Sequence, residues 1–161
     1  MSEKNATEDL SRAPEKTGIY IDSSALAKIY VPEADSEQLD AFLRGRQDLM
    51  ISELCITEVI SAAARRKREG LLNSRQVKEI HERILADAEA GYYARLDISP
   101  SIHRDAERFL LSTESVALRS LDALHVALAL SGRAQRIITF DLRTADAAVL
   151  HGLEIVQFGR D

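Results

Sequence analysis

The chain has 161 residues, 45% of them apolar, which suits one globular domain with a substantial hydrophobic core. Its 21 Lys and Arg residues stand against 26 Asp and Glu residues, and the net charge of -5 argues against a uniformly basic nucleic-acid-binding surface, although a local basic patch stays compatible with it. The single cysteine, Cys55, excludes an internal disulfide and fits a reducing compartment.

The N-terminal region carries no targeting or membrane signal. Residues 1–16 are polar and charged and lack the apolar segment of a signal peptide. No apolar stretch of the chain is long enough to span a bilayer. We therefore expect a cytoplasmic protein without a membrane partner, with a flexible tail over residues 1–17 and one domain over residues 18–161.

The first predicted element is a buried strand that ends at a carboxylate. Ile19–Ile21 is β-branched and aromatic, and Asp22 follows it directly. The pattern predicts a helix over residues 24–31, with Ser23 or Ser24 as its N-cap. Ligands of open α/β sheets bind outside the carboxyl ends of strands, so Asp22 is either a helix cap or a site residue.

Strands and helices alternate along the rest of the chain. Further predicted strands cover residues 49–52, 92–98, 137–141 and 153–158. Further predicted helices cover residues 33–44, 53–69, 118–130 and 142–150, and two more begin near Asn73 and Ser99. This alternation favours a mostly parallel sheet with helices on both faces. The predicted fold class is therefore α/β, a three-layer α/β/α sandwich around a sheet of about five strands.

Several polar residues have the spacing of helix caps. Ser52 precedes one predicted helix, and Asn73 with Gln76 three residues later resembles a capping box. Ser120 is predicted to cap a later helix, which places Asp122 in its first turn, where an acid favours the helix dipole. The later helices are predicted to bury Ile102, Ala106, Phe109, Leu110, Leu121, Leu124 and Leu128.

Four carboxylates stand at element ends or near apolar helix faces, namely Asp22, Glu58, Asp122 and Asp141. Two of them follow apolar strands that could lie side by side. Glu58 borders the apolar stripe of its helix and either meets a partner there or reaches solvent. Clustered carboxylates raise one another's pKa, and a hard divalent cation such as Mg²⁺ or Mn²⁺ relieves this. Asp122 is either such a site acid or only a dipole-favoured residue.

Other polar residues are assigned smaller roles. Ser23 and Thr139 could orient the acids from behind. His125, three residues after Asp122, is expected to be a packed or half-exposed helix residue, because the histidines show no metal-ligand spacing. Cys55 is expected in the core without a matched histidine. The basic run over residues 65–68 is expected to be a solvated helix end, with nucleic-acid contact as the weaker alternative.

Four stretches in this order resemble the PIN-domain family, specifically the VapC-like ribonuclease toxins of type II toxin–antitoxin pairs. They begin at Ile19 (IYIDSSAL), Ile56 (ITEV), Leu121 (LDALHVA) and Thr139 (TFD). The resemblance covers about residues 18–158. It implies a PIN-like fold and a Mg²⁺-dependent endoribonuclease, with Mn²⁺ as a possible substitute.

The resemblance also implies roles for the acids. Asp22 and Asp122 are the implied principal metal ligands, and Glu58 and Asp141 are implied to support that metal or a second one. The family pattern often has another acid shortly after the last of these. Here Arg143 stands nearby, and the next acid is Asp146.

The resemblance further implies partners: an RNA substrate, a second copy in a homodimer, and a cognate VapB-like antitoxin whose C-terminal segment lies across the acidic groove. An amphipathic antitoxin helix could dock on apolar residues beside the site. The residues expected there are Ile29, Tyr30, Phe42, Leu43 and Ile60.

Two other functions stay open at this point. One is a phosphatase with an aspartyl nucleophile, but the haloacid-dehalogenase pattern needs a second Asp two residues after the first, where this chain has Ser24. The other is a non-catalytic PIN-like binding module. Such modules tend to lose site acids, whereas all four are present here.

Overall fold

The computed structural model describes residues 18–31 and 36–158. Its elements are, in chain order, β1 (Ile19–Ile21), α1 (Ser23–Tyr30), α2 (Ser36–Leu43), β2 (Leu49–Ser52), α3 (Glu53–Arg68), α4 (Ser74–Glu89), β3 (Ala94–Leu96), α5 (Pro100–Ser112), α6 (Ser120–Ser131), β4 (Arg136–Ile138), α7 (Leu142–Leu150) and β5 (Glu154–Ile155). The predicted tail over residues 1–17, the first residues of the predicted helix over residues 33–44, and residues 159–161 lie outside the described ranges. No helix in those ranges has the length and apolarity needed to cross a membrane.

The strands form one sheet in the order β3-β2-β1-β4-β5, and every pair is parallel. β1 is central: Ile19 lies opposite Leu49 of β2 on one side and Arg136 of β4 on the other. All three residues of β1 are fully buried, as expected for a parallel strand covered on both faces. The predicted α/β sandwich with a five-stranded sheet is confirmed.

The helices form two layers because the chain changes direction across the sheet. From β1 it moves outward to β2 and β3, then returns past β1 to β4 and β5. Right-handed crossovers in opposite directions put their helices on opposite faces. Accordingly α1 contacts α2, α3 and α4, whereas α6 contacts α5 and α7. The reversal creates a crevice between the carboxyl ends of β1 and β4, the usual place for a ligand in such sheets.

Two of the predicted helix caps are wrong, and two are right. Asp22, rather than Ser23 or Ser24, caps α1, because its extended backbone lets the carboxylate accept from the Ala25 amide. Arg119, rather than Ser120, precedes α6. The caps predicted for α3 and α4 are confirmed.

Some residues predicted to be buried are exposed. Leu110 is 40% exposed and Leu121 is 45% exposed. Leu121 lies in the first turn of α6 and lines a pocket. Conversely, Tyr30 of the predicted docking face is buried, and the other four residues of that face pack partly buried against the core.

Candidate active site

A pocket of about 370 Å³ opens in the crevice beyond β1 and β4. It is lined by all four predicted acids, Asp22, Glu58, Asp122 and Asp141, and by Ser23, Ser24, Arg119, His125 and Thr144. Four separate parts of the chain supply these acids, and the parallel topology brings them together. The predicted side-by-side arrangement of the strands that precede Asp22 and Asp141 is confirmed.

Three of the acids are held at helix N-termini. Asp22 caps α1, and Asp141 caps α7 by accepting from the amides of Arg143 and Thr144 at 2.8 and 3.2 Å. Asp122 lies in the first turn of α6 and accepts from the Arg119 amide at 3.0 Å. The cap and site alternatives are therefore compatible, because these carboxylates satisfy helix amides and still line the pocket.

Hydroxyl groups orient Asp22, the most buried of the four acids. Its Oδ1 accepts from the Ser24 hydroxyl at 2.7 Å and from the Ala25 amide at 2.9 Å. Its Oδ2 accepts from the Thr139 hydroxyl at 2.5 Å. Burial raises the pKa of Asp22 above its ordinary value, although the charge of His125 and these hydrogen bonds act in the opposite direction.

Thr144 is a site residue that the sequence reasoning missed. Its hydroxyl donates to Asp122 Oδ1 at 3.2 Å, while its amide donates to Asp141 Oδ1. Thr144 is only 2% exposed, so it links the two carboxylates from inside the protein. A possible signal was its position three residues after Asp141, where a cap receives its amide hydrogen bond. Ser24, which also donates to Asp22, was considered only as a cap.

Glu58 is hydrogen-bonded to His125, a residue that the sequence analysis did not assign to the site. Its Oε2 lies 2.6 Å from Nε2 of His125, a residue that is only 3% exposed. Burial acts against ionisation of Glu58, but the hydrogen bond and charge of His125 and a hydrogen bond from Ser23 outweigh it and lower the pKa of Glu58. Burial also disfavours protonated His125, yet its contacts with Cys55 and Glu58 and the charge of Asp22 raise its pKa. His125 is packed as predicted, and its spacing from Asp122 was the available signal.

A cluster of buried polar side chains lies beneath the pocket. The Tyr20 hydroxyl lies 2.9 Å from His125 Nδ1, 2.8 Å from Ser52 Oγ and 3.2 Å from Cys55 Sγ. Cys55 is in the core as predicted, but the expectation that it has no histidine nearby is wrong, because its Sγ is 3.9 Å from His125 Nδ1.

The charges around the pocket are not all negative. Arg119, an exposed residue with a cationic side chain, also lines the pocket. Asp146 lines a neighbouring cavity with Thr139 and Phe140 instead. Asp146, the next acid after Asp141 in the sequence, therefore lies beside the acid pocket and not in its lining.

The donor set suits a hard cation. All four acids offer carboxylate oxygens, which Mg²⁺ and Mn²⁺ prefer. Across the described residues, no three His, Cys, Asp or Glu side chains come close enough together to hold a metal ion by themselves. Mg²⁺ usually keeps several waters and takes only one or two protein carboxylates, so a three-ligand group is not required for it.

Comparison with known proteins identifies the family. Residues 19–150 match the sequence profile of the PIN domain. Ribonuclease VapC46 of Mycobacterium tuberculosis is 32% identical over 146 residues, which covers 86% of this chain and 95% of the relative.

Solved structures share the fold. VapC20 of Mycobacterium tuberculosis, a toxin that cleaves the sarcin-ricin loop, matches with a TM-score of 0.64 and 16% identity over 81% of this chain and 95% of its own. FitAcB of Neisseria gonorrhoeae matches with a TM-score of 0.61 and 19% identity over 86% of this chain and 96% of its own. At these identities the likeness concerns the fold alone. Together with the profile match and the VapC46 relative, these findings show that the chain belongs to the PIN-domain family, as a VapC-like member.

Proposed function

We propose that this protein is a metal-dependent endoribonuclease and the toxin of a type II toxin–antitoxin pair. The observation that carries the proposal is the convergence of Asp22, Glu58, Asp122 and Asp141 on one pocket at the crevice between β1 and β4. The relative named Ribonuclease VapC46 supports RNA as the substrate.

In the proposed site, Asp22 and Asp122 are the principal ligands of Mg²⁺ or Mn²⁺. They are the most buried of the four acids, at 2% and 8% exposure, and hydroxyl and amide donors fix both of them. Glu58 and Asp141 are more exposed and would support that metal through its bound waters, or a second metal. The chemistry that a divalent cation supplies in such a pocket is activation of a water molecule and neutralisation of charge on the phosphoryl oxygens.

The chain's own residues prepare the pocket for an RNA phosphate. Ser24, Thr139 and Thr144 donate hydrogen bonds to the acids, so their carboxylates keep one orientation before substrate arrives. Glu58 stays ionised because of His125, and its carboxylate keeps a negative charge near the mouth of the pocket. Arg119 offers a guanidinium that can bind a phosphate oxygen of the approaching strand.

The phosphatase alternative lacks its second acid. Ser24 occupies that position and donates a hydrogen bond to Asp22, so it cannot accept a proton as a carboxylate would. The binding-module alternative predicts the loss of site acids, whereas here all four are present and line a single pocket.

The direct test uses purified protein and total RNA in three buffers, with Mg²⁺, with Mn²⁺ and with EDTA. We expect RNA fragments with either ion and none with EDTA. Intact RNA in both metal buffers, from protein shown to be folded, would refute the nuclease proposal. Cleavage that persists in EDTA would refute its metal dependence.

We also propose two protein partners. A VapB-like antitoxin would place a basic side chain among the acids, where it would stand in for the cation. A homodimer is consistent with large apolar side chains that α5 and α7 expose, namely Leu111, Leu142, Val149 and Leu150. Light scattering should then give twice the chain mass of 17.9 kDa.

A further inference from the structure

The acid pocket rests on a second layer of buried polar side chains, which we call the support layer: Tyr20, Ser52, Cys55 and His125. Three of the four parts of the chain that supply pocket acids also supply a residue of this layer. Tyr20 precedes Asp22 by two residues, so both side chains leave the extended chain on the same side.

The two helices repeat this arrangement with their own spacing. Cys55 precedes Glu58 by three residues on α3, and Asp122 precedes His125 by three residues on α6. Residues three apart on a helix lie on the same face. Tyr20, Cys55 and His125 of the support layer therefore belong to the same three parts of the chain that carry Asp22, Glu58 and Asp122, and Ser52 joins them from the end of β2.

The hydrogen bonds of the support layer lead to Glu58. Glu58 is ionised and can only accept, so His125 Nε2 carries a hydrogen and donates to Oε2 over 2.6 Å. The other imidazole nitrogen, Nδ1, is engaged by the Tyr20 hydroxyl at 2.9 Å. Tyr20 in turn is held by Ser52 at 2.8 Å, and the Cys55 thiol donates to the Ile21 carbonyl at 3.2 Å. No buried side-chain nitrogen or oxygen among the described residues lacks a hydrogen-bond partner.

We propose that His125 is a positioning residue, which holds the Glu58 carboxylate in the pocket and is itself fixed by Tyr20. This inference rests on the proposed nuclease function, because it assigns Glu58 a fixed orientation toward an RNA phosphate. Glu58 is the acid that needs such a holder. The other three accept hydrogen bonds from backbone amides, whereas Glu58 lies within α3, its side chain is 24% exposed, and its hydrogen-bond partners are the side chains of His125 and Ser23.

A purely structural role at position 125 would not require a histidine. An apolar side chain of similar size would fill the same buried space, and burying imidazole and phenol groups is unfavourable unless they are hydrogen-bonded. Here both imidazole nitrogens have partners, and one partner is a pocket acid. The contact with Glu58 joins residues 67 positions apart and orders a flexible side chain at the pocket mouth.

The first experiment compares two amide substitutions of His125. The amide nitrogen of Gln reaches the position of imidazole Nε2, whereas that of Asn reaches only the position of Nδ1. Outer partners of site ligands typically contribute roughly 10–100-fold, so we expect His125→Asn to lower kcat/KM for RNA cleavage by about that factor. His125→Gln should retain most activity. Equal losses in both variants, or full activity of His125→Asn, would overturn the proposal.

A double-mutant cycle asks whether His125 acts through Glu58. We expect the Glu58→Ala/His125→Asn variant to cleave RNA no more slowly than Glu58→Ala alone, since the second change removes an already absent contact. Losses that multiply would show that His125 acts on its own. Thermal melts of every variant identify any that fail to fold. If His125→Asn fails to fold, the activity of His125→Gln relative to wild type still tests the proposal.

An NMR measurement on metal-free protein separates this inference from the nuclease proposal. With 15N-labelled histidine, the His125 Nε2–H proton should be visible and protected from exchange, and it should shift or disappear in Glu58→Ala. A resonance that Glu58→Ala leaves unchanged would overturn the positioning role, whether or not RNA is cut. Wild-type protein that shows the expected resonance but cuts no RNA would refute only the nuclease function.

Discussion

The Thr139 hydroxyl donates a hydrogen bond of 2.5 Å to Asp22 Oδ2, across 117 residues of sequence. It joins the segment after β4 to the residue that ends β1 and caps α1. Ser24 strengthens the same junction, because its hydroxyl oxygen accepts from the Phe140 amide at 2.8 Å while its hydrogen goes to Asp22. The most buried acid of the pocket is thus fixed by residues that follow β1 and by residues that follow β4.

Replacing Thr139 with Val should destabilise the protein. The variant leaves a buried carboxylate without one of its donors, and hydrogen bonds to charged groups contribute about 1.5–3 kcal/mol. We expect a loss of free energy of unfolding of that order in urea denaturation at neutral pH. Thr139→Ser keeps the hydroxyl and is the matched control. If Val and Ser prove equally stable, the hydrogen bond has no energetic role.

Much of the pocket could be predicted because its acids obey local rules. Asp22 and Asp141 follow apolar strands, and alternating strands and helices put such ends at one edge of a parallel sheet. Glu58 and Asp122 were found from their helix positions and the family resemblance. These features depend on short stretches, so a single sequence reveals them.

The residues that were missed depend on contacts between distant elements. His125 is 67 residues from Glu58, and Thr144 is 22 residues from Asp122. The spacing of His125 from Asp122 places both on one face of α6, but it does not tell whether the imidazole meets a carboxylate there or only packs. Likewise, Ser120 has the type of a good cap, but whether it occupies the cap position depends on where the loop before α6 enters the helix.

The stability of metal-free protein should depend on pH through Asp22. The pKa of Asp22 is higher in the folded state than in the unfolded state, so the folded state binds the proton more tightly. The contribution of Asp22 to the free energy of unfolding is therefore complete below the unfolded pKa, about 3.9. It is lost as the pH rises through the folded-state pKa. Relative to Asp22→Asn in EDTA, the wild-type free energy of unfolding should therefore fall as pH rises above about 4. A difference that grows with pH would contradict the raised pKa.

Divalent cations should raise the melting temperature of the wild-type protein. A ligand that binds only the folded state stabilises it by mass action, by about 2.7 kcal/mol at one hundred times its Kd. The Asp22→Asn/Asp122→Asn variant should show no such gain from Mg²⁺ or Mn²⁺. Titration calorimetry that detects no binding of either ion, with RNA present or absent, would rule out the proposed metal site.

Expression of the wild-type chain alone should arrest bacterial growth. An open acid pocket that cuts cellular RNA would harm the cell, and co-expression of a small neighbouring reading frame should relieve the arrest if it encodes the antitoxin. The Asp22→Asn variant, expressed to the same level, controls for general burden. Harmless accumulation of folded wild-type protein would count against the toxin role and leave the nuclease proposal to be judged in vitro.

The central claim is that the four pocket acids carry out metal-dependent RNA cleavage, and the most direct measurement is the cleavage rate of matched acid variants in Mg²⁺. Asp22→Asn removes a buried pocket acid, whereas Asp146→Asn removes an exposed acid that lines only the neighbouring cavity. We expect Asp22→Asn to lose at least about two orders of magnitude in rate, as preorganised site groups typically contribute, while Asp146→Asn cleaves at the wild-type rate. Undiminished cleavage by folded Asp22→Asn would contradict the claim.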